Sequence, residues 1–312
     1  MAPRAPPHPP CEGRSPCAIL SLNDVSVAKG RLMQAVCPCC GSAARHRRLY
    51  EKNACEILQC PTCGLGRAVT SDFKPEDYYT AGYFSGERSD GYADYRDAEP
   101  VLRREFARTV AFIRQYRGAG RLLELGCAYG FFLAEAQAHY DVSGVEVAAD
   151  AAEFCRKRGL RVVTGIAGEA ALVAFGPMDV IVLLDVIEHL PDPRAVLEAC
   201  CRNLNPGGII ALTTGDFASP LARLAGRHWR LMTPPQHLWY FTPESLRRLS
   251  VPLGLRLEVC DHPWKFVPLS LIAFQLARVF RAGPVRSARA AAIGIPVNLF
   301  DAMRCVLRKP NA

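Results

Sequence analysis

Three groups of side chains in this sequence have the types and spacings from which chemistry is built. The first is Cys37, Cys40, Cys60 and Cys63, two matching knuckles "CPCCG" and "CPTCG" with nineteen residues between Cys40 and Cys60. Two residues between thiolates let both aim at one ion, and glycine after the second permits the tight turn. Four thiolates also close a tetrahedral site to water, so the expected metal is a structural Zn2+. Cys39 breaks the match between the knuckles and is read as a spare. The second group is "LLELGCAYG" over 122–130, an apolar strand carrying Glu124 and a turn through Gly126, Cys127, Ala128 and Gly130, with Glu146 twenty-two residues after Glu124. Such a turn lets backbone approach a ligand, and an acid at the end of the next strand can accept from two ribose hydroxyls. The spacing suits a nicotinamide dinucleotide too, but a pyrophosphate prefers the full G-x-G-x-x-G turn, whose third glycine is missing here. Ala128 stands where the middle glycine is usual, so the turn is expected to avoid positive φ there or to lie slightly farther from the ligand. The third group is Asp185, Glu188 and His189 in "DVIEHL", with His237 in "PPQHLWYF". Either imidazole suits a general base for a hydroxyl acceptor, while His189 equally suits orientation of its loop. Trp239, Tyr240 and Phe241 beside His237 are candidates for an aromatic wall of an acceptor pocket.

These groups need a scaffold, and 312 residues, half of them hydrophobic, suffice for one α/β core and one small module. From residue 121 short apolar strands alternate with helical stretches: "RLLEL", a helix from about Phe131, "VSGVEV", a helix over 150–159, "RVVTG", "DVIVLLD", a helix from about Pro193 and "GGIIALTT". That alternation indicates a doubly wound α/β fold with a parallel sheet covered on both faces. Upstream, Leu102, Phe106, Val110 and Ile113 are spaced for a helix leading into this domain. Downstream, Thr242 is a candidate N-cap with Pro243 at the first helical position and Glu244 in the first turn, followed by strands "LRLEVCD" and "AMRCVLRKP".

Fourteen cysteines in a chain without an apolar signal segment point to reduced thiols and metal ligation, and the expected location is the cytosol. The net charge is +8, and from Lys265 to the C-terminus eight basic residues stand against Asp301 alone. The apolar stretch 266–281 with basic ends reads either as an amphipathic helix against an anionic membrane or as an inserted helix packed on the sheet or a partner subunit. Arg45, His46, Arg47 and Arg48 give the cysteine module some positive charge, but without interleaved aromatic side chains nucleic-acid binding is not favoured.

Taken together, "ELGCAYG", "VEV", "DVIVLLDVIEHLPDP" and "LNPGGIIALTT" resemble, in order and spacing, the successive motifs of class I S-adenosylmethionine-dependent methyltransferases. With the paired CPxCG knuckles and "YYTAGYF", the chain is similar to the bacterial group of these enzymes that carries an N-terminal zinc ribbon. The resemblance implies a Rossmann-like, mainly parallel seven-stranded sheet over 119–312 with a basic apolar insertion at about 265–300. It also implies a zinc ribbon over 36–70 and a connecting or lid segment with a helix over 71–118, after a mostly disordered leader over 1–35. It implies S-adenosyl-L-methionine as cofactor, with Glu124, Gly126, Cys127, Ala128 and Gly130 at its methionine end, Glu146 at its ribose, Asp185 beside the methionine part and 166–168 near the adenine. His189 and His237 are the implied catalytic candidates. Asp185, Glu188, His189 and His237 further resemble the set that holds Mg2+ or a similar ion in some methyltransferases of quinone precursors and RNA ends. The acceptor implied is a small molecule or a sugar of a surface-glycan or secondary-metabolite pathway, or else a lipid or quinone reached at the membrane surface.

Overall fold

A computed structural model describes residues 36–70, Tyr78, 81–84, 95–279 and 288–311. The leader expected over 1–35, most of the aromatic and acidic stretch over 74–94, and the basic residues Arg281 and Arg286 lie outside the described residues. The described residues all belong to one compact unit, Leu32–Ala312.

The cysteine module is a small antiparallel sheet of β1 (Arg47–Lys52), β2 (Cys55–Gln59) and β3 (Gly66–Val69). The β1–β2 turn puts Asn53 and Ala54 at φ 49° and 58°, the left-handed pair that a tight hairpin requires. A short helix α1 (Ala81–Phe84) and the long α2 (Glu99–Arg114) lead into the main domain. Helix α2 starts with a proline in its first turn and buries Val101, Val110 and Ile113.

The main sheet is assembled from β4 (Arg121–Leu125), β5 (Asp141–Glu146), β6 (Val162–Thr164), β7 (Met178–Leu184) and β8 (Leu204–Gly215), all parallel. Between them run α3 (Phe131–Ala136), α4 (Ala149–Lys157), α5 (Glu169–Phe175) and α6 (Pro193–Asn203). After β8 come α7 (Pro220–Ala225), β9 (Trp239–Tyr240), α8 (Pro243–Ser250), β10 (Arg256–Asp261), β11 (Lys265–Pro268), α9 (Leu269–Val279), α10 (Ala288–Ala291), β12 (Gly294–Val297) and β13 (Ala302–Arg308). The seven strands lie in the order β10-β13-β8-β7-β4-β5-β6, with β13 antiparallel to both neighbours.

Alternation along the strands explains why both faces are covered. Leu123, Leu125, Ile181, Leu183, Ile210 and Leu212 point to one side, into a core shared with α6, α8 and the cysteine knuckles. Leu122, Val180, Val182, Ile209 and Ala211 point to the other, against α2, α3 and α4. Each fully buried aliphatic side chain contributes roughly 1.5–3 kcal/mol, so the sheet is the rigid body on which the site is mounted. Thr242 caps α8 as expected, accepting from the Ser245 N–H while the Ser245 hydroxyl accepts from the Thr242 N–H.

Two features differ from the reading of the sequence. The stretch 266–281 is not one helix: β11 pairs with β12, and α9 starts only after Pro268. Proline restrains the preceding Val267 to extended backbone and has no N–H to give a helix interior, which places the boundary there. The cysteine module is also not a separate bead, because β9, about 170 residues further along the chain, joins its sheet, pairing Gly66 with Tyr240 and Arg67 with Trp239. A Cβ on Gly66 would sit 2.8 Å from the Phe217 ring and 2.9 Å from Tyr240 Cβ, so glycine is what lets the strands meet. Among the described residues no helix is long and apolar enough to cross a membrane.

Candidate active site

Strand order reverses between β4 and β7, and ligands in doubly wound sheets bind outside the strand ends at such a point. A cavity of about 570 Å³ opens there, walled by the turns after β4, β5 and β7 and roofed by β11 and α9. One side is made by Gly126, Ala128, Glu146, Ile166 and Asp185, the other by His189, Arg230, His237, Lys265, Phe266 and Phe274.

Glu146 ends β5 as a buried carboxylate. Its Oε2 accepts from the Ala128 N–H at 2.7 Å and its Oε1 from the Ala148 N–H at 2.8 Å. Burial raises its pKa, and those backbone bonds oppose the rise. Each carboxylate oxygen keeps lone-pair capacity beyond one N–H, so the group holds the turn and can still accept from hydroxyls in the cavity.

The expectation that the turn avoids positive φ at Ala128 is corrected: Ala128 has φ 46°. A left-handed alanine costs about 1–2 kcal/mol. In return, that conformation aims the Ala128 N–H at Glu146, whose charge-assisted bond offsets the strain. Gly126 is also left-handed, at φ 74°, and a Cβ on it would approach Val186 Cγ2 to 2.7 Å.

Glu124, Cys127 and Gly130 stand behind the cavity wall instead of on it. Glu124 is buried with Oε2 unpartnered among the described residues, and burial holds its pKa well above the usual carboxylate range. Cys127 packs under Gly144, while Gly130 caps α3 where a Cβ would strike Leu160 and Cys155. Of the adenine-edge residues, Ile166 and Ala167 line the cavity.

Past β7, Asp185 opens into the cavity with φ 55°. Its side chain is 46% exposed within the cavity mouth; the surrounding walls still work against its charge, yet Lys265, 3.6 Å away, and the Thr213 hydroxyl donating at 2.8 Å hold its pKa below the ordinary value. Sequence reasoning misses Lys265, since nothing local marks a lysine eighty residues downstream as the partner of Asp185.

Glu188, His189 and His237 converge so that one ligand atom from each lies within 4.8 Å of the others. Asp185 is not in that group. Burial is the main reason that Glu188 is pushed up to about 8 and His189 down to about 4, and His237 lies well below its usual value for the same reason. The His189 Nδ1 lies 2.8 Å from the Gln236 carbonyl, which as a donor places the lone pair on Nε2. The His237 ring packs edge-on against that of His189, with ring centres 4.6 Å apart. Two imidazoles, with a carboxylate oxygen of Glu188 unpartnered among the described residues, form an N2O donor set suited to a divalent cation.

Trp239, Tyr240 and Phe241 do not wall the cavity, contrary to the sequence reading. They are buried in the core and in the β3–β9 junction, and only His237 and Gln236 of that segment face inward. The reason is β9 itself, whose pairing turns these rings toward the ribbon. A second missed feature is Asp301, fully buried between the Arg230 guanidinium, which donates at 2.8 and 3.0 Å, and the Trp229 indole N–H at 2.8 Å. This pair fixes the cavity floor.

At the ribbon, the Cys37 and Cys63 sulfurs are 3.6 Å apart and those of Cys40 and Cys60 3.7 Å. Sulfurs around a tetrahedral zinc with bonds of about 2.3 Å lie about 3.8 Å apart, so these four thiols fit the ion. Cys39 is fully buried in the same core cluster but stands outside the group whose sulfurs converge.

A family model described as "Methyltransferase domain" matches residues 95–258, just over half of the chain. The ubiquinone biosynthesis O-methyltransferase of Dinoroseobacter shibae is 33% identical over 181 residues, covering 53% of this chain and 71% of that protein. Its namesake from Methylococcus capsulatus is 36% identical over 153 residues, with 45% and 65% covered, and that from Bordetella avium 32% over 120 residues, with 36% and 48% covered. The chain thus spans about half to two thirds of the length of these latter two relatives. Among solved structures, the methyltransferase in a complex with the Trm112 activator of Haloferax volcanii aligns with a TM-score of 0.50 at 14% identity, covering 77% of this chain and 100% of that one. This likeness concerns the fold alone. The family match runs through β4 to β8 and the turns after β4, β5 and β7 that wall the cavity, and this chain belongs to the methyltransferase-domain family.

Proposed function

We propose that the protein transfers a methyl group from S-adenosylmethionine to a ring hydroxyl of a phenolic or catecholic small molecule. The observation that carries the cofactor half is Glu146, held on two backbone N–H groups beside a left-handed turn with its face to the cavity. The acceptor half draws on the relatives named for ubiquinone biosynthesis, since O-methylation on the way to a quinone calls for a ring hydroxyl. These names favour a quinone-type acceptor over the sugar or secondary-metabolite acceptor of the sequence reading.

S-Adenosylmethionine supplies a methyl on a sulfonium, which needs little more than an aligned nucleophile and exclusion of water. Glu146 would accept from the ribose hydroxyls, Gly126 and Ala128 would border the methionine part, and Asp185 would attract its ammonium, competing with Lys265. Phe266 and Phe274 exclude water and stack on a planar acceptor. His189 and His237 stay neutral at physiological pH because burial depresses both. As lone-pair donors they accept a hydrogen bond from the acceptor hydroxyl or, with Glu188, hold Mg2+ or a similar ion. Such an ion would supply Lewis acidity that lowers the pKa of a bound hydroxyl. Cys37, Cys40, Cys60 and Cys63 would hold a structural zinc ion. Peripheral contact of the basic segment beyond residue 265 with an anionic membrane would bring an apolar acceptor to the roof of the cavity.

The test is transfer of label from methyl-labelled S-adenosylmethionine to caffeate, a soluble catechol, with a glycoside, a short RNA and NADH oxidation as comparison arms. The catechol should be O-methylated and the other arms silent. Label on the RNA or the sugar with none on the catechol would sink the proposed acceptor class.

A further inference from the structure

The segment 233–242 runs between the ribbon and the cavity and is bonded to both. On the ribbon side, the Asn53 side-chain amide donates to the Pro234 carbonyl at 2.7 Å, the Ala68 N–H to the Leu238 carbonyl at 2.9 Å and the Thr242 hydroxyl to the Cys63 carbonyl at 3.2 Å. The β3–β9 pairing adds to these, and the Arg67 guanidinium lies 5.6 Å from the centre of the Trp239 ring. On the cavity side, the Gln236 carbonyl meets His189 Nδ1 at 2.8 Å, the Leu238 N–H donates to the Glu188 carbonyl at 2.9 Å and the Trp239 indole to the Leu190 carbonyl at 2.8 Å. His237 lies in the middle of this ladder, its ring centre 4.6 Å from that of His189.

We infer that the cysteine ribbon is the positioning element of the acceptor half of the site, with Asn53 as its separable contact. That this half takes the acceptor rests on the proposed function; the mechanical claim does not. Without the ribbon, His237 would rest on the three cavity-side bonds of a loop and a two-residue strand, and a strand that short has no stability of its own. The cofactor side is independent of this ladder. Gly126, Ala128 and Glu146 are fixed by β4 and β5, which make none of the ladder's bonds. The two halves of the cavity therefore respond separately to damage in the ribbon.

Asn53 allows a clean test because its φ of 49° suits glycine as well as asparagine. Asn53→Gly keeps the hairpin turn and removes only the amide that reaches Pro234. Full-length wild type and Asn53→Gly, both purified with zinc, are compared by amide hydrogen exchange, by calorimetry with S-adenosylhomocysteine and by caffeate kinetics. The expected result is exchange across 236–241 about tenfold faster or more, KM for caffeate raised about fivefold with a smaller change in kcat, and the S-adenosylhomocysteine Kd within about twofold of wild type. Unchanged exchange across 236–241 overturns the proposal, and so does an equal loss of cofactor affinity, which would mean general loosening. Cys60→Ser is the stronger variant: it should speed exchange in the same segment while exchange in β4 and β5 stays slow. Wild type that binds no S-adenosylhomocysteine would instead overturn the methyltransferase reading and leave the exchange result to decide the ribbon's role.

Discussion

Replacing Glu146 by glutamine keeps the shape of the side chain and removes its charge and one acceptor oxygen. In the native turn the two oxygens take the N–H groups of Ala128 and Ala148 at 2.7 and 2.8 Å. Glutamine satisfies one of these and turns its own NH2 toward the other, leaving a donor unpaired at about 1–3 kcal/mol if buried. The bonds to the two ribose hydroxyls change from charge-assisted to neutral, a loss of about 1 kcal/mol each. The unpaired turn donor weighs on the free and the bound protein alike, so binding loses about 1–2 kcal/mol, roughly fivefold to thirtyfold in Kd for S-adenosylhomocysteine by calorimetry. Burial raises the folded pKa of Glu146, so its contribution to stability is full below the unfolded pKa and is lost as pH rises through the folded one. At pH 7 the native charge is therefore a burden that glutamine lacks, and this offsets part of the lost bond. We expect a melting temperature within about 3 °C of wild type. A Kd within about threefold of wild type in a folded variant would refute the placement of the ribose at Glu146.

Three further sites probe other parts of the molecule. Cys60→Ser should lower zinc from about one ion per chain to near none by elemental analysis, and full retention of the metal would show that the ligand set is wrong. Ala128→Gly should be nearly neutral in a denaturant melt, because relief of about 1 kcal/mol of left-handed strain is matched by the greater freedom of glycine in the unfolded chain. Ala128→Val should lose more than about 2 kcal/mol because a β-branched residue at that φ is a genuine outlier; equal stability of the two variants would contradict the conformation of the turn. Asp179 accepts from the Arg121 N–H at 2.9 Å, from the Asn205 amide at 3.2 Å and from Arg117. Burial opposes its charge, but these bonds hold its pKa below the ordinary value. Its stabilisation is therefore present above the unfolded pKa and lost as pH falls through the folded one. Asp179→Asn should cost about 1–3 kcal/mol at pH 7, and the gap to wild type should narrow as pH falls below the unfolded Asp value of about 3.9; a gap independent of pH would assign the effect to packing.

Most of the sheet was legible because its strands are short apolar runs buried on both faces, and such runs leave little choice of register or role. "DVIVLLD" became β7 with Val180 to Val182 fully buried, and Thr242 capped α8 by the chemistry its sequence advertises. The convergence of Cys37, Cys40, Cys60 and Cys63 was legible for a similar reason, since the spacing within each knuckle dictates where the sulfurs can point. What the sequence hid was long-range. The two residues of β9 carry no strand signal of their own and pair with β3 from about 170 positions away, so Trp239, Tyr240 and Phe241 read as a pocket wall when they are the seam to the ribbon. Lys265 beside Asp185, and Asp301 between Arg230 and Trp229, are pairs between segments about 80 and 70 residues apart. The left-handed Ala128 was hidden by the opposite problem: local propensity argued against a conformation that Glu146, eighteen residues on, stabilises.

The central claim is that the cavity at the β4–β7 switch point is built for S-adenosylmethionine. Calorimetry of the wild-type chain with S-adenosylhomocysteine, with NADH as the competing ligand, tests it most directly. The predicted result is one site per chain with a Kd on the order of micromolar, weakened roughly fivefold to thirtyfold in Glu146→Gln, and no heat with NADH. Tight NADH binding, or no S-adenosylhomocysteine binding at millimolar ligand by a folded, zinc-loaded chain, would contradict it.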